Sequence, residues 1–159
     1  MKILTLGSIN IDFNYSVAHI TTPKETQGST GLKMFPGGKG LNHALTLARA
    51  GMDVQLAGMI GEDGVQMLHM IEEAGVDTSL VRTLEGEQTG HAIIQVDEVG
   101  QNAILLYGGA NRKIDEAYVD EVLENYGEGD ILVSQNEISC LEYIIDRAYE
   151  KGMYIVLNP

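Results

Sequence analysis

The residues best suited to chemistry lie in Pro36-Gly37-Gly38-Lys39-Gly40-Leu41-Asn42-His43-Ala44. Three glycines ahead of a helix let the backbone approach a ligand closely and turn unpaired N–H groups toward its oxygen atoms. The segment is not a Walker A loop. Lys33 stands where that motif has its first glycine, and Gly40 follows Lys39 where Ser or Thr would be required. Glycines that only make a tight turn are the alternative. Upstream, Gly7-Ser8-Ile9-Asn10-Ile11-Asp12 follows a short apolar run, without the Gly-x-Gly-x-x-Gly of a dinucleotide fold. It sets an amide, Asn10, and a carboxylate, Asp12, at the carboxyl end of a strand, where together they can donate to and accept from vicinal hydroxyls. Helix capping or turn formation is the competing role. His19, His43, His69 and His91 lack metal-ligand spacing, and Cys140, the only cysteine, reads as a packed structural thiol. The arginines are scattered, and Glu72-Glu73 reads as a solvated helix face.

These residues need a scaffold, and the apolar pattern supplies one. Residues 2–6, 54–58, 131–133 and 153–157 read as buried strands. Helices are expected from the glycine turn to Gly51, from Asp63 to Gly75 and from Asp115 to Tyr126, with a fourth opening at Ser139. The second is expected to bury Val65, Leu68, Ile71 and Ala74 with Asp63 as N-cap, and Ser139 with Glu142 matches a capping box. Strand–helix alternation of this kind implies a mostly parallel sheet covered by helices. Residues 13–20 and 29–35, and the pair 90–96 and 102–107, alternate as half-exposed strands and fit a separate small sheet inserted twice.

Composition bounds the function. The 159 residues hold 23 acidic and 10 basic side chains, a net charge of −13 that repels nucleic acid and anionic membranes. The N-terminal apolar run is too short for a signal-peptide core, and no stretch approaches membrane-span length. A reducing, cytoplasmic setting is expected.

Taken together, the segments resemble the ribokinase-like (PfkB) carbohydrate kinases, and the ribokinases among them. The resemblance runs through Gly7–Asp12, the glycine turn with Asn42, Gly58–Gly64, Ala74–Asp77, Thr89–Ala92, Gly109-Ala110-Asn111, Gln135-Asn136-Glu137 and Leu157-Asn158-Pro159. It implies a three-layer α/β/α fold, mostly parallel, with a small β-lid and with the C-terminal part absent. The incomplete body would comprise 1–12, 36–89 and 109–159, and the lid 13–35 and 90–108. It also implies that Asn10, Asp12, Gly38, Lys39, Gly40, Asn42 and Glu137 bind a sugar, and that Gly109-Ala110-Asn111 forms a hinge or rim. The implied activity is ATP-dependent phosphorylation of a sugar hydroxyl, pentose preferred, with Mg²⁺ and possible help from a monovalent cation. A small sugar such as ribose is the implied partner, and a homodimer through the lid is implied as well. The family's second signature, Gly-Ala-Gly-Asp, supplies the base and an N–H-rich turn for the transferred phosphoryl group. It does not occur in these residues. The expectation is therefore a chain with the sugar-gripping parts, no catalytic base of its own and little turnover, its last strand leaving the sheet incomplete and apolar. A non-catalytic sugar-binding or association module is the alternative.

Overall fold

The computed structural model describes residues 1–159. Strand β1 (Ile3–Leu6) is central in a five-stranded sheet that also contains β4 (Val54–Gly61), β5 (Val76–Leu84), β8 (Ile131–Gln135) and β9 (Tyr154–Asn158), in the order β5-β4-β1-β8-β9. Every pairing in it is parallel, as the strand–helix alternation predicts. Alternation along β1 sends Ile3 to one face and Leu4 and Leu6 to the other, since successive side chains point to opposite sides. Helices α1 (Lys39–Arg49) and α2 (Val65–Glu73) pack on the Ile3 face through Leu41, Ala44, Met67 and Ile71. Helices α3 (Glu116–Leu123) and α4 (Leu141–Glu150) cover the Leu4 face through Tyr118, Val119, Val122, Leu123, Ile144 and Ala148. The outcome is a three-layer α/β/α arrangement.

A second sheet has the order β3-β2-β6-β7, built from β2 (Asn10–Ser16), β3 (Gly31–Gly37), β6 (Gly90–Val96) and β7 (Asn102–Tyr107). β2 pairs antiparallel with β3 and parallel with β6, and β6 pairs antiparallel with β7. It begins at Asn10, so Asn10 and Asp12 stand on the small sheet rather than on β1. No helix is long and apolar enough to cross a membrane.

Several local expectations change. Strand β5 carries no clear strand signal in the sequence: Asp77, Ser79, Arg82 and Thr83 dilute its apolar content, yet Val76 and Thr78 are buried in the period-two pattern of an edge strand. On α2 the buried pair is Met67 and Ile71, while Val65 faces solvent at 45% exposure. Asp63 does not cap α2. Its Oδ1 accepts from the Thr89 N–H at 2.9 Å and from the Thr89 hydroxyl at 2.6 Å, tying the start of α2 to the segment that leads into β6. Ser139 does not cap α4 either. Cys140 occupies the N-cap with a left-handed backbone, φ 56°, and the Ser139 hydroxyl donates to the Ile114 carbonyl at 2.7 Å. Tertiary partners outcompete local caps at both helix starts. Cys140 is unpaired and half-buried against the Leu4-face core.

Candidate functional site

The glycine turn ends in Gly38, whose φ of 93° lies in the left-handed region that side chains avoid. A Cβ at Gly38 would sit 2.7 Å from the Ser8 carbonyl oxygen, and one at Gly40 would lie 2.6 Å from the Gly7 carbonyl carbon. These glycines bring α1 down onto the end of β1. The consequence differs from the expectation of free N–H groups. The Lys39 N–H donates to Glu137 Oε2 at 3.3 Å, the Gly40 N–H to the Ser8 hydroxyl at 3.3 Å, and the Leu41 N–H to the Ser8 carbonyl at 3.0 Å. The protein's own oxygens thus occupy the positive end of the helix, with Glu137 in the place an anionic ligand would take.

Glu137 is held twice more. The Ser8 hydroxyl donates to its Oε2 at 2.7 Å, and Lys39 Nζ lies 3.9 Å from its Oε1. Ser8 itself is fully buried, with its N–H donating to Gln135 Oε1 at 3.1 Å. The sequence assigned Ser8 no role. The one signal for it is a small hydroxyl directly after Gly7 at the end of a buried strand.

Asp12 has the opposite character. It is half-buried on β2, directly opposite Phe35 and two residues along from the Asn10–Gly37 pair, and no protein group hydrogen-bonds its carboxylate. Burial, and then the negative charge of Glu137, push its carboxyl above the ordinary 3.8. The repulsion follows from β2 and the turn after β8 already lying close together. A Cβ on Gly37 would overlap the Asp12 carboxylate, so the glycine turn is part of its wall. Asn10, buried, lies between Gly37 and Gly90 in the sheet register, and its Oδ1 accepts from Asn111 Nδ2 at 2.8 Å. Positions 10 and 12 share one face of β2.

Asn10, Asp12, Gly38, Lys39, Gly40 and Glu137 therefore gather where the small sheet meets α1 and the ends of β1 and β8. Asn42 follows one turn along α1 from Lys39, exposed and with no hydrogen bond from its side chain. Of eight surface cavities on the chain, five, of about 250 to 460 Å³, are lined without Asp12, Asn42 or Glu137. The group forms an open shelf. No group of three or more His, Cys, Asp or Glu side chains is placed to hold a metal ion.

The model of the pfkB family carbohydrate kinases matches residues 1–156. The chain belongs to that family. Among its relatives, the ribokinase of Haemophilus influenzae is 37% identical over 99% of this chain and 53% of its own length. The crystal structure of ribokinase from Cryptococcus neoformans var. grubii in complex with ADP matches with a TM-score of 0.85 and 37% identity, over 99% of this chain and 49% of that one. Arabidopsis thaliana ribokinase complexed with ribose and ATP matches with a TM-score of 0.79 and 28% identity, over 98% and 52%. The chain spans about half the length of the curated relatives it matches. Within the pfkB kinase fold, the shelf lies at the carboxyl ends of parallel strands, where open α/β sheets bind ligands.

Proposed function

We propose that this chain supplies the sugar-binding part of an ATP-dependent kinase acting on a hydroxyl of a small sugar, a pentose such as ribose being preferred. One observation carries the reading: Asp12 is a half-buried carboxylate with no internal hydrogen bond and with Glu137 raising its cost, an arrangement that a hydroxyl donor would relieve. In this reading Asp12 accepts from a sugar hydroxyl, and Asn10 contributes an amide on the same strand face. Lys39 and Glu137 form the opposite wall, with Gly38 and Gly40 permitting the close approach and Asn42 reaching in from α1. The small sheet acts as a lid that excludes water from the phosphoryl-transfer step. Its exposed apolar strands also mediate a homodimer.

The ribose and ATP named in the Arabidopsis structure and the ADP in the Cryptococcus structure support a sugar and a nucleotide as partners. The residues present do not fit the nucleotide end. They include no Gly-Ala-Gly-Asp turn and gather no metal-holding cluster. In this reading ATP and Mg²⁺ are not held in full by these residues, and the catalytic base is not among them; a monovalent cation belongs to the same incomplete end. A cytoplasmic setting belongs to the same reading and agrees with a lone unpaired cysteine.

Titration calorimetry of the chain with D-ribose tests the proposal. Saturable binding that Asp12→Ala abolishes is the expected result. Absence of ribose binding by the unmodified chain, or unchanged affinity in the variant, would overturn it. The missing base favours one narrower reading for the isolated polypeptide, binding without phosphoryl transfer. ATP and ribose together are then expected to yield no ribose phosphate, and turnover near the roughly 1–100 per second of kinases would refute that.

A further inference from the structure

The polar atoms around Asn10 determine which way its amide faces, and the determination starts from a backbone group that cannot be reversed. Asn111 is buried at 2% exposure, just after β7 re-enters the body. Its Oδ1 accepts from the Ile9 N–H at 3.0 Å. A backbone N–H is only a donor, so the atom facing it must be the amide oxygen. The Asn111 Nδ2 then donates both to the Ile9 carbonyl at 3.3 Å and to Asn10 Oδ1 at 2.8 Å. Turning the Asn111 amide over would set donor against donor at the Ile9 N–H and oxygen against oxygen at the other two contacts. The Asn10 amide is thereby fixed with its oxygen inward and its Nδ2 left over. That nitrogen has no protein partner and is not among the buried unsatisfied atoms, so it reaches the surface of the shelf.

The same residue joins the strand crossings between the two sheets. Ile9 and Asn10 form the crossing from β1 to β2. The Ala110 N–H donates to the Gln88 carbonyl at 2.8 Å, linking the return from β7 to the crossing from β5 to β6. A Cβ at Gly90 would overlap both Asn111 Nδ2 and Asn10 Oδ1, so glycine at the start of β6 is what lets the two amides meet. The Asn111 carbonyl accepts from the Ser139 N–H at 3.2 Å, which anchors it to the body ahead of α4.

We propose that Asn111 is a positioning residue for sugar recognition: it holds the Asn10 amide with Nδ2 outward, so that the shelf presents one donor and, two residues along the same strand face, one acceptor, Asp12. Vicinal hydroxyls match this pair, one oxygen accepting from Asn10 while its neighbour donates to Asp12. The site then requires a ligand oxygen at the Asn10 end and discriminates against a sugar that is deoxy there. The proposal rests on the sugar-binding reading above for its ligand, and on the amide network alone for the orientation.

Side-chain amide hydrogen exchange, followed by NMR on the ¹⁵N-labelled chain, reads the orientation without any ligand. The Asn111 NH₂ is expected to exchange slowly and the Asn10 NH₂ quickly; the reverse order would overturn the proposal. For recognition, ribose affinity is measured in Asn111→Asp and in Asn10→Asp. The first keeps an acceptor for Ile9 but sets oxygen against Asn10 Oδ1, which turns the Asn10 amide over. The second keeps the Asn111 contact but presents oxygen outward. Each is expected to weaken ribose binding roughly tenfold, the scale of one neutral hydrogen bond. Ribose affinity equal to that of the unmodified chain in Asn10→Asp overturns the role in recognition even if Asn111→Asp fails to fold. If the unmodified chain binds no ribose, the sugar reading fails, and the exchange order still decides how the amide is held.

Discussion

At the scale of single residues, the site divides into groups already satisfied by the protein and groups left open. Glu137 takes hydrogen bonds from the Ser8 hydroxyl and the Lys39 N–H, whereas the Asp12 carboxylate takes none. That contrast has a cost for stability. Because the folded Asp12 carboxyl holds its proton more tightly than the unfolded one, folding is favoured at low pH by this group. Its penalty is absent well below the ordinary 3.8 and complete above the raised folded value. Asp12→Asn is therefore expected to stabilise the chain in urea at pH 7 by a few tenths to about 1 kcal/mol, with screening at this half-exposed position keeping the gain small. The gain should disappear near pH 3, and ribose binding should be lost with it. An unchanged or lower urea midpoint at pH 7 would show that the carboxylate carries no such penalty.

At the scale of elements, the structure depends on side chains that complete strand hydrogen bonding. Tyr118, on α3, reaches beneath β4 and β5 near the register shift between Gln55 and Ala57. Its phenolic oxygen accepts from the Gly58 N–H at 2.7 Å and lies 2.7 Å from the Leu80 carbonyl as donor. Arg82 lies over the ring, its guanidinium carbon 4.7 Å from the centroid. Tyr118→Phe keeps the ring but leaves the Gly58 N–H buried without a partner, and it is expected to cost about 1–3 kcal/mol in chemical denaturation. Burial raises the phenol well above its ordinary 10.0. The native state therefore holds this proton more tightly, so the group's contribution is whole below pH 10 and is lost as pH rises beyond it. In Tyr118→Phe the alkaline fall in stability should be correspondingly shallower.

At the scale of the whole molecule, apolar surface and acid excess act against each other. On the small sheet Leu32, Met34, Phe35, Ile104, Leu105, Leu106 and Tyr107 are each about half exposed or more. Such a surface is uncommon on an isolated soluble chain. A net charge of −13 opposes bringing two copies together, and salt screens that repulsion. The chain is expected to sediment as a dimer whose population grows with ionic strength. Ile104→Lys combined with Leu105→Lys, one on each face of β7, should leave monomer. A monomer at all salt concentrations in the unmodified chain would remove the small sheet as a dimer contact. A second apolar surface lies at β9, where Tyr154, Val156 and Leu157 are exposed beside a groove of about 420 Å³ lined also by Leu47, Val133 and His43. If the double variant still self-associates, this edge strand is the contact responsible.

The sequence alone determined the parallel sheet, the small second sheet and the types of group at the site. Each of these is written in short-range patterns: apolar runs of strand length, alternation, and glycines directly before a helix. Strand β5 escaped because an edge position tolerates polar residues that blur the alternation. The tertiary structure alone decided that Glu137 would cap α1, that Asp63 and Ser139 would leave their helices for distant partners, and that Asn111 would orient Asn10. It also left the Asn42 side chain exposed without a protein partner and the shelf open. The physical reason is separation along the chain. Ser8 and Glu137 are 129 residues apart and Asn10 and Asn111 are 101 apart, so no local preference fixes which polar atoms meet; that follows only once the two sheets and four helices have packed.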